Sequence, residues 1–298
     1  MARTAVSRRL TWRAATVLEA RWETTTARTL VLDVPDWPGH LPGQHVDIRL
    51  TAEDGYQAQR SYSIASAWTG EAGTVQGGTV ESGTVESGTV ESGTVESGTV
   101  ESGTVESGTV EAGTREAATV GGGAVEITVQ RLEDGEVSPY LADVVEAGDR
   151  IEVRGPIGGW FIWRDTATAP VTLIAGGSGV VPLMAMIRAR GAARGRQPFR
   201  LIYSVRTPQD ALYADELRRR VRDDPGLDVH FVYTRTAPEG WPVPPRRIDV
   251  ATVNNHGWPP DFQPDCFVCG PAGFVETVAD ILVALGHDPK LIRTERFG

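Results

Sequence analysis

The chain of 298 residues is 40% hydrophobic and contains eight tryptophans and seven phenylalanines, enough apolar material for two ordinary domains. No apolar run approaches the ~18 residues that span a bilayer, and no apolar segment follows Arg8-Arg9 as it would in an export signal, so we predict a cytoplasmic protein without a membrane anchor. The net charge of −10 and the lack of a basic face argue against nucleic-acid binding.

The first half of the sequence consists of short alternating segments separated by glycine and proline turns, a pattern typical of antiparallel barrels. The predicted strands are 16–20, 27–34, 41–50, a strand that ends at 60–66, 124–132 and 150–154. A short helix is predicted at 136–147. We assign this β-barrel domain to residues 8–164.

One segment of this domain, 69–123, departs from the pattern because it repeats the pentapeptide Gly-Thr-Val-Glu-Ser. Its nine glutamates and one arginine carry −8 of the net charge, so the remaining chain is close to neutral. A five-residue period places successive valines on opposite faces of a strand and turns them by ~140° around a helix, so neither structure would gain an apolar face. We therefore predict a disordered acidic insert within a turn of the barrel domain.

The strand that ends at 60–66 carries an unusual set of side chains. Alternation places Arg60 and Tyr62 on one face and Ser61 and Ser63 on the other. A guanidinium can hold a diphosphate through two hydrogen bonds, and a tyrosine ring can lie against a flat heterocycle. On their own, these residues fit equally well a half-buried strand whose arginine extends into solvent.

A second polar stretch, Gly135, Glu136, Val137 and Ser138, leads into the predicted helix. A glycine, a hydroxyl at a helix start and successive backbone N–H groups together form a cradle for an anion. The pattern alone is weak, because serine is also a common N-cap residue.

After a linker around 164–170, strands alternate with helices, which predicts a parallel sheet with ligands at its carboxyl edge. We assign this α/β domain to residues 170–298. The predicted strands are 171–175, 199–205, 227–234, 266–269 and 291–297, and the predicted helices begin at Pro182 and cover 211–223 and 274–285.

The first of these strands leads into a glycine-rich turn, Gly177, Ser178 and Gly179, which alone is also compatible with an ordinary strand-to-helix connection. The acidic residue that usually holds the ribose of a dinucleotide is absent after the second strand. Arg206 stands there instead, and Arg235 follows the third strand. These arginines fit either a bound phosphate or the solvent-exposed end of a strand.

The two cysteines, Cys266 and Cys269, have the C-x-x-C spacing of many redox and metal sites. Residues three apart on a strand point to opposite faces, and the sequence has no second cysteine pair to complete a metal site. We therefore predict neither a redox disulfide nor a metal site. Two cysteines are also too few for a fused plant-type iron–sulfur domain, which needs four.

These stretches and the C-terminal residues resemble motifs of the ferredoxin–NADP reductase superfamily. The matching motifs are Arg60-x-Tyr62-Ser63, the cradle at 135–138, the turn at 177–182, Cys269-Gly270-Pro271 and Glu295-x-Phe297. The resemblance covers nearly the whole chain apart from the insert. It implies an antiparallel FAD-binding barrel followed by an α/β nicotinamide-binding domain.

For the flavin, the resemblance implies that Arg60 and the backbone of 136–138 hold the FAD diphosphate. Tyr62 would flank the isoalloxazine ring, and the Ser63 hydroxyl would approach flavin N5. Phe297 would cover the flavin face that the nicotinamide takes. The remaining implied flavin contacts are Ser61, Val129 and Gly135.

For the nicotinamide, the resemblance implies that the turn Gly177–Gly179 binds the dinucleotide and that Arg206 and Arg235 favour NADPH over NADH. Cys269 would face nicotinamide C4, and Glu295 would orient the serine or the carboxamide. The neighbours of Cys269 in this pocket would be Gly270 and Pro271. The implied catalytic residues are Ser63, Cys269 and Glu295.

The resemblance thus implies an FAD-dependent oxidoreductase that takes a hydride from NADPH or NADH. It would pass single electrons to a separate protein, such as a ferredoxin or similar iron–sulfur protein, and we expect it to be a monomer. Two alternatives stay open: a reductase of a small acceptor such as free flavin or a ferric chelate, and a flavin-binding module without nicotinamide turnover. An intact nicotinamide half with Cys269 and Glu295 argues against the module.

Overall fold

The computed structural model describes residues 10–52, 54–68, 124–193 and 197–297. The predicted acidic insert at 69–123 lies outside these ranges, as do residues 1–9 and Gly298. No helix within the described ranges is long and apolar enough to cross a membrane.

Six antiparallel strands form the first sheet, as the alternating segments predicted. They are β1 Trp12–Thr24, β2 Ala27–Asp33, β3 His45–Thr51, β4 Gln57–Ser63, β5 Ala124–Gln130 and β6 Arg150–Ile157. Their order is β4-β3-β6-β1-β2-β5, and a bridge between Ile64 and Ile127 joins the two outer strands. The sheet therefore closes into a barrel, which confirms the predicted fold of this half.

Alternating aliphatic side chains fill the barrel interior. Side chains two apart on a strand share a face, so Leu30 and Leu32 of β2 meet Val46 and Ile48 of β3 in one buried cluster. Strands β2 and β5 are buried on both faces, because the second domain covers their outer side. The polar residues of that outer side consequently take part in the contact between the domains.

Five parallel strands with helices between them form the second domain, which confirms the predicted α/β half. The strands are β7 Val171–Gly176, β8 Phe199–Val205, β9 Leu227–Tyr233, β10 Asp265–Pro271 and β11 Ile292–Phe297, in the order β11-β10-β7-β8-β9. The helices are α1 Val180–Ala192, α2 Ala214–Asp223, α3 Val250–His256 and α4 Ala272–Ala284.

The two faces of this sheet carry separate apolar clusters, as expected for a parallel sheet covered on both sides. Phe267 and Cys269 of β10 pack with α1 on one face, whereas Cys266 and Val268 pack with α4 on the other. The prediction that the two cysteines point to opposite faces is therefore confirmed, and both are free thiols.

Helix α2 begins at Ala214, three residues later than the sequence predicted. The chain takes a left-handed conformation at Tyr213, with a φ of 55°, so the helix has no regular start before that residue. Asp210, which directly precedes the predicted helix, closes a capping box with Thr207 around a short 3₁₀ turn.

Three further helices differ from the prediction. Helix α1 begins two residues before Pro182, which is tolerated in the first turn because its missing N–H would have no partner there. Helix α3 was not predicted, and its local signal is Asp249, whose side chain accepts a hydrogen bond from the Thr252 N–H. The helix predicted at 136–147 is a short π-helix, Tyr140–Val144.

One largely buried arginine joins the two domains. Arg188 of α1 donates from Nη1 to the Ala65 carbonyl oxygen at 3.0 Å and to Glu126 Oε2 of β5 at 2.7 Å. The same guanidinium donates to both carboxylate oxygens of Glu216 in α2, at 2.6 and 3.0 Å. This contact fixes one domain against the other, and the end of β11 then reaches the end of β4.

Candidate functional site

The end of strand β4 supplies the first group of side chains, and its pairing with β3 sets their directions. Ser61 donates a hydrogen bond to Asp47 Oδ1 at 2.6 Å, on the strand face opposite Tyr62. Tyr62 is half-buried against the apolar cluster of the barrel, and burial raises the pKa of its hydroxyl to about 12. The phenol is therefore neutral and presents a ring rather than a charge.

A hydrogen bond across the domain boundary joins Ser63 to the C-terminal strand. The Ser63 hydroxyl donates to Glu295 Oε1 at 3.2 Å, although the two residues lie 232 positions apart in the sequence. Glu295 in β11 is the register partner of Cys269 in β10. The structure thus brings together the three side chains to which the resemblance assigned hydride transfer.

The protonation of these groups follows from their burial. Desolvation raises the pKa of Glu295 to about 7, with the Ser63 hydrogen bond acting in the opposite direction. Burial, followed by the nearby Glu295 charge, raises the pKa of the Cys269 thiol well above its ordinary value. Near neutral pH, Glu295 can therefore hold or release a proton, whereas Cys269 stays a neutral thiol.

The loop at 135–138 lies opposite Arg60. The Ser138 hydroxyl accepts a hydrogen bond from the Leu132 N–H at 3.1 Å, which closes the loop on itself. A Cβ at Gly135 would lie 2.8 Å from Ser138 Oγ, so this tight loop requires glycine. The Val137 side chain is buried in the barrel core, while the Glu136 side chain is exposed and faces Arg60.

Among the predicted flavin contacts, Val129 has a side chain that a ligand outside the barrel cannot reach. Its side chain is fully buried among the aliphatic residues of the barrel interior. A contact with a ligand outside the barrel would have to come from its backbone, which pairs with Arg28 of β2. Alternation in β5 already implied this, because Val129 shares the inward face with Ile127.

The glycine-rich turn packs directly on the end of β10. A Cβ at Gly179 would overlap the Cys269 carbonyl and lie 2.8 Å from the Gly270 nitrogen, so glycine permits this backbone-to-backbone contact. Gly177 has a φ of +56°, which also favours glycine. The turn, with Ser178 between these glycines, therefore lies next to Cys269 at the carboxyl edge of the sheet.

Arg206 and Arg235 adjoin each other at the same carboxyl edge. The backbone N–H of Arg235 donates to the Arg206 carbonyl oxygen at 2.9 Å, and both side chains are exposed. Within the described part of the chain, neither guanidinium has a hydrogen-bond or ion-pair partner. Two such cations form a suitable site for a phosphate group.

Phe297 ends strand β11 beside Pro271, and its ring is exposed. Two further residues near β4 belong to the site without a motif in the sequence that marks them. Asp47 accepts from Ser61, and the Tyr56 hydroxyl lies 3.4 Å from the Glu136 carboxylate oxygens. Only the register of β3 against β4 and the fold of the loop bring these groups together, so no local motif marks them.

These features fit FAD. An exposed arginine faces a glycine-containing loop, as a diphosphate requires. A half-buried neutral phenol and a serine hydroxyl follow on the same strand, at the junction with the nicotinamide-binding half. Bound in this order, the diphosphate would contact Arg60 and the 136–138 backbone, Tyr62 would flank the flavin ring, and the Ser63 hydroxyl would approach the ring.

Comparisons with known proteins support both halves. Residues 108–162 match the family model of the oxidoreductase FAD-binding domain, and residues 173–280 match that of the oxidoreductase NAD-binding domain. The glycine betaine monooxygenase reductase subunit of Chromohalobacter salexigens is 31% identical over 173 residues, which cover 58% of this chain and 47% of the relative. The ferredoxin–NAD(P)⁺ reductase component of the naphthalene 1,2-dioxygenase system of Pseudomonas putida is 27% identical over 58% of this chain and 52% of its own.

The chain spans about half the length of the curated relatives it matches. Among solved structures, the FAD/NAD-binding domain of a nitric oxide dioxygenase from Vibrio cholerae superposes with a TM-score of 0.70. That match is 22% identical and covers 96% of this chain and 98% of the other, and it supports the fold alone. With oxidoreductase FAD- and NAD-binding domains matched in this order, the chain belongs to the ferredoxin–NADP reductase superfamily.

Proposed function

We propose that this protein takes a hydride from NAD(P)H and passes electrons singly to a separate acceptor protein, a ferredoxin or similar iron–sulfur protein. The observation that carries the proposal is the Ser63–Glu295 hydrogen bond beside Cys269, because it joins the flavin half to the nicotinamide half at one point. We assign residues 8–164, interrupted by 69–123, to the FAD domain and 170–298 to the nicotinamide domain. A monomeric state and a cytoplasmic location stay predictions from the sequence.

FAD supplies the chemistry that accepts two electrons and releases them one at a time. The protein contributes placement. Arg60 and the backbone of 136–138 would hold the diphosphate, and Tyr62 would pack against the flavin ring with its neutral phenol. The Ser63 hydroxyl would then lie at the edge of the ring where the hydride arrives, held there by Glu295.

On the nicotinamide side, the turn Gly177–Gly179 would receive the dinucleotide phosphates on backbone N–H groups. The Cys269 thiol, uncharged because of its raised pKa, would shape the pocket for the nicotinamide without attacking it. The exposed Phe297 ring would move aside when the nicotinamide enters. In each of these roles the side chain positions the reacting atoms and forms no covalent bond with them.

Arg206 and Arg235 support a preference for NADPH over NADH, because the 2′-phosphate would meet two exposed guanidiniums. Arg235→Ala should therefore weaken NADPH binding roughly tenfold and leave NADH binding nearly unchanged. Titration of the flavin-loaded protein with NADP⁺ and NAD⁺ measures both. Equal losses for the two nucleotides would refute the preference.

A protein acceptor is supported by the relatives, which are named as reductase subunits or components of oxygenase systems. In such an arrangement the reductase delivers its electrons to another component. The partner of this chain would be found by copurification, followed by reduction of the isolated iron–sulfur protein under anaerobic conditions. Faster reduction of free flavin or a ferric chelate than of every iron–sulfur partner would favour a small-molecule reductase instead.

The decisive experiment is anaerobic mixing of the flavin-loaded protein with NADPH and with NADH in a stopped-flow spectrophotometer. We expect the flavin absorbance to bleach within seconds. A protein that retains FAD but does not bleach would be a flavin-binding module without nicotinamide turnover. A protein that binds no FAD would contradict the assignment of Arg60 and the 135–138 loop.

A further inference from the structure

The cradle contains a carboxylate that does not suit an anion site. Glu136 Oε2 lies 3.3 Å from Arg60 Nη2, and both side chains are 55% exposed. The Tyr56 hydroxyl lies 3.4 Å from both oxygens of the same carboxylate and so keeps it at the cradle. The second terminal nitrogen of Arg60, Nη1, donates to the Gln59 carbonyl oxygen at 2.7 Å.

Both terminal nitrogens of Arg60 are therefore engaged. A diphosphate needs these same donors, because a guanidinium binds phosphate through two parallel N–H groups. A carboxylate and a diphosphate carry charge of the same sign, so they repel each other at one guanidinium. An exposed ion pair contributes little to stability and can exchange its anion readily.

We propose that Glu136 limits cofactor loading by competing with the FAD diphosphate for Arg60. The proposal rests on the assignment of Arg60 to the diphosphate. Glu136 must leave Arg60 when FAD binds, and its charge stays beside the bound diphosphate afterwards. Both effects weaken FAD binding, so the protein exchanges FAD more readily than its arginine and loop would otherwise allow.

The chain offers a matched control in the same loop. Glu133 is also exposed and also carries one negative charge, but it lies on the other side of Gly135. It makes no hydrogen bond or ion pair within the described residues, and its charge acts at longer range on Arg131. Removing the Glu133 charge changes the electrostatic potential around the loop. Removing the Glu136 charge does the same and also removes the carboxylate that competes with the diphosphate for Arg60. The difference between the two variants isolates the competition.

The test measures FAD binding to flavin-free wild-type, Glu136→Gln and Glu133→Gln proteins, by quenching of flavin fluorescence. We expect Glu136→Gln to lower the Kd for FAD about five- to tenfold, as removal of a like charge near a diphosphate at an exposed site should do. Glu133→Gln should change it less than twofold. In the Arg60→Ala background, the gain from Glu136→Gln should shrink, because the competition is gone and only the repulsion between Glu136 and the diphosphate remains.

Two smaller probes separate the diphosphate from the flavin ring. ADP, which carries a diphosphate and no flavin, should gain affinity in Glu136→Gln, whereas riboflavin, which carries no phosphate, should not. Equal effects of the two glutamine variants on FAD, or a gain of undiminished size in the Arg60→Ala background, would overturn the competition. Failure of the wild-type protein to bind FAD at all would instead refute the proposed function, so the two failures are distinguishable.

Discussion

Arg188 and Arg60 each face glutamates, but one lies buried between the two domains and the other exposed at the rim of the barrel. Only 9% of the Arg188 side chain is exposed, and the side chains of its partners Glu126 and Glu216 are only 5% and 11% exposed. Arg60 and Glu136 are each 55% exposed. The same pair of residue types is thus a fixed part of the fold in one place and an exchangeable contact in the other.

The difference follows from desolvation. Charges taken out of water must stay paired, since an uncompensated buried charge is costly, and such a pair does not open to admit a ligand. Charges left in water interact weakly and can separate without destabilising the fold. Burial therefore indicates which arginine holds the domains together and which one can bind an anion.

Arg188→Met should have the largest effect, because it removes the buried cation that Glu126 and Glu216 share. Glu126 then keeps only its contact with Arg21, and Glu216 only its contact with Arg220, and both of these arginines are more exposed than Arg188. We expect a loss of about 3–5 kcal/mol in the free energy of unfolding. Denaturant unfolding of the flavin-free protein measures it. Arg220→Met is the matched control, since Arg220 contacts the same Glu216 from a more exposed position and should cost about 1 kcal/mol or less. Equal losses in the two variants would refute the role assigned to burial.

Arg60→Ala should weaken FAD binding strongly and change the stability of the fold little, the opposite of Arg188→Met. It removes a charge-assisted contact worth about 1.5–3 kcal/mol, so FAD affinity should fall roughly 10- to 100-fold. The unfolding free energy of the flavin-free protein should change by less than ~0.5 kcal/mol.

The identity of the bound flavin tests the same cradle. Ser63→Ala should release flavin less readily than Arg60→Ala, and the flavin that heat releases from the wild-type protein should be FAD rather than FMN. Release of FMN would contradict the assignment of the cradle.

Glu295 and Ser63 lie between these extremes of burial. We expect Ser63→Ala and Glu295→Ala to slow flavin reduction at least tenfold, about 1.4 kcal/mol of barrier, with a much smaller change in dinucleotide binding. Stopped-flow reduction across a range of NADPH concentrations separates rate from affinity. Wild-type rates in both variants would show that the active site lies elsewhere.

The raised pKa of Glu295 gives this prediction a pH signature. The pKa in the fold is about 7 against an ordinary 4.5, so the contribution of this group to stability is complete below pH 4.5 and is lost as the pH rises through 7. In Glu295→Gln this loss should disappear, and the melting temperature should fall less between pH 4.5 and 8 than in the wild type. Parallel profiles of the two flavin-free proteins would show that Glu295 titrates normally.

The parts of the fold that could be predicted from the sequence are those that depend on the pattern of residue types along a short segment. Alternation marked the barrel strands, because burial of one face selects that pattern, and strands alternating with helices marked the parallel sheet of the second domain. Ser63 and Glu295 lie 232 positions apart, so only family motifs could bring them together. The sequence contains no pattern that predicts the partners of Arg188 or of Glu136. A charged residue in a helix or loop is expected to be exposed, and only the folded chain shows which other segment packs against it.

The smallest effect is expected from deletion of 78–111, a segment of the acidic insert that lies outside the described residues. Its five-residue period predicts no packed face, so its charges should be solvated and contribute nothing comparable to Arg188 or Arg60. Shortening the connection from about 55 to about 21 residues should stabilise the fold by only about 1 kcal/mol, through a smaller loop-closure entropy. Flavin content and NAD(P)H oxidation with a dye acceptor should stay near wild type.

A deletion variant that fails to fold would show that the repeat is structural, contrary to the period argument. A variant that reduces dyes normally but reduces its iron–sulfur partner slowly would make the acidic repeat a docking segment. Raising the ionic strength separates direct from electrostatic docking, because salt should then slow the wild type towards the rate of the variant. If the wild type and the deletion variant reduce the partner at equal rates at every salt concentration, then the fold, the cofactor site and electron delivery do not depend on the repeat. That is the result its sequence predicts.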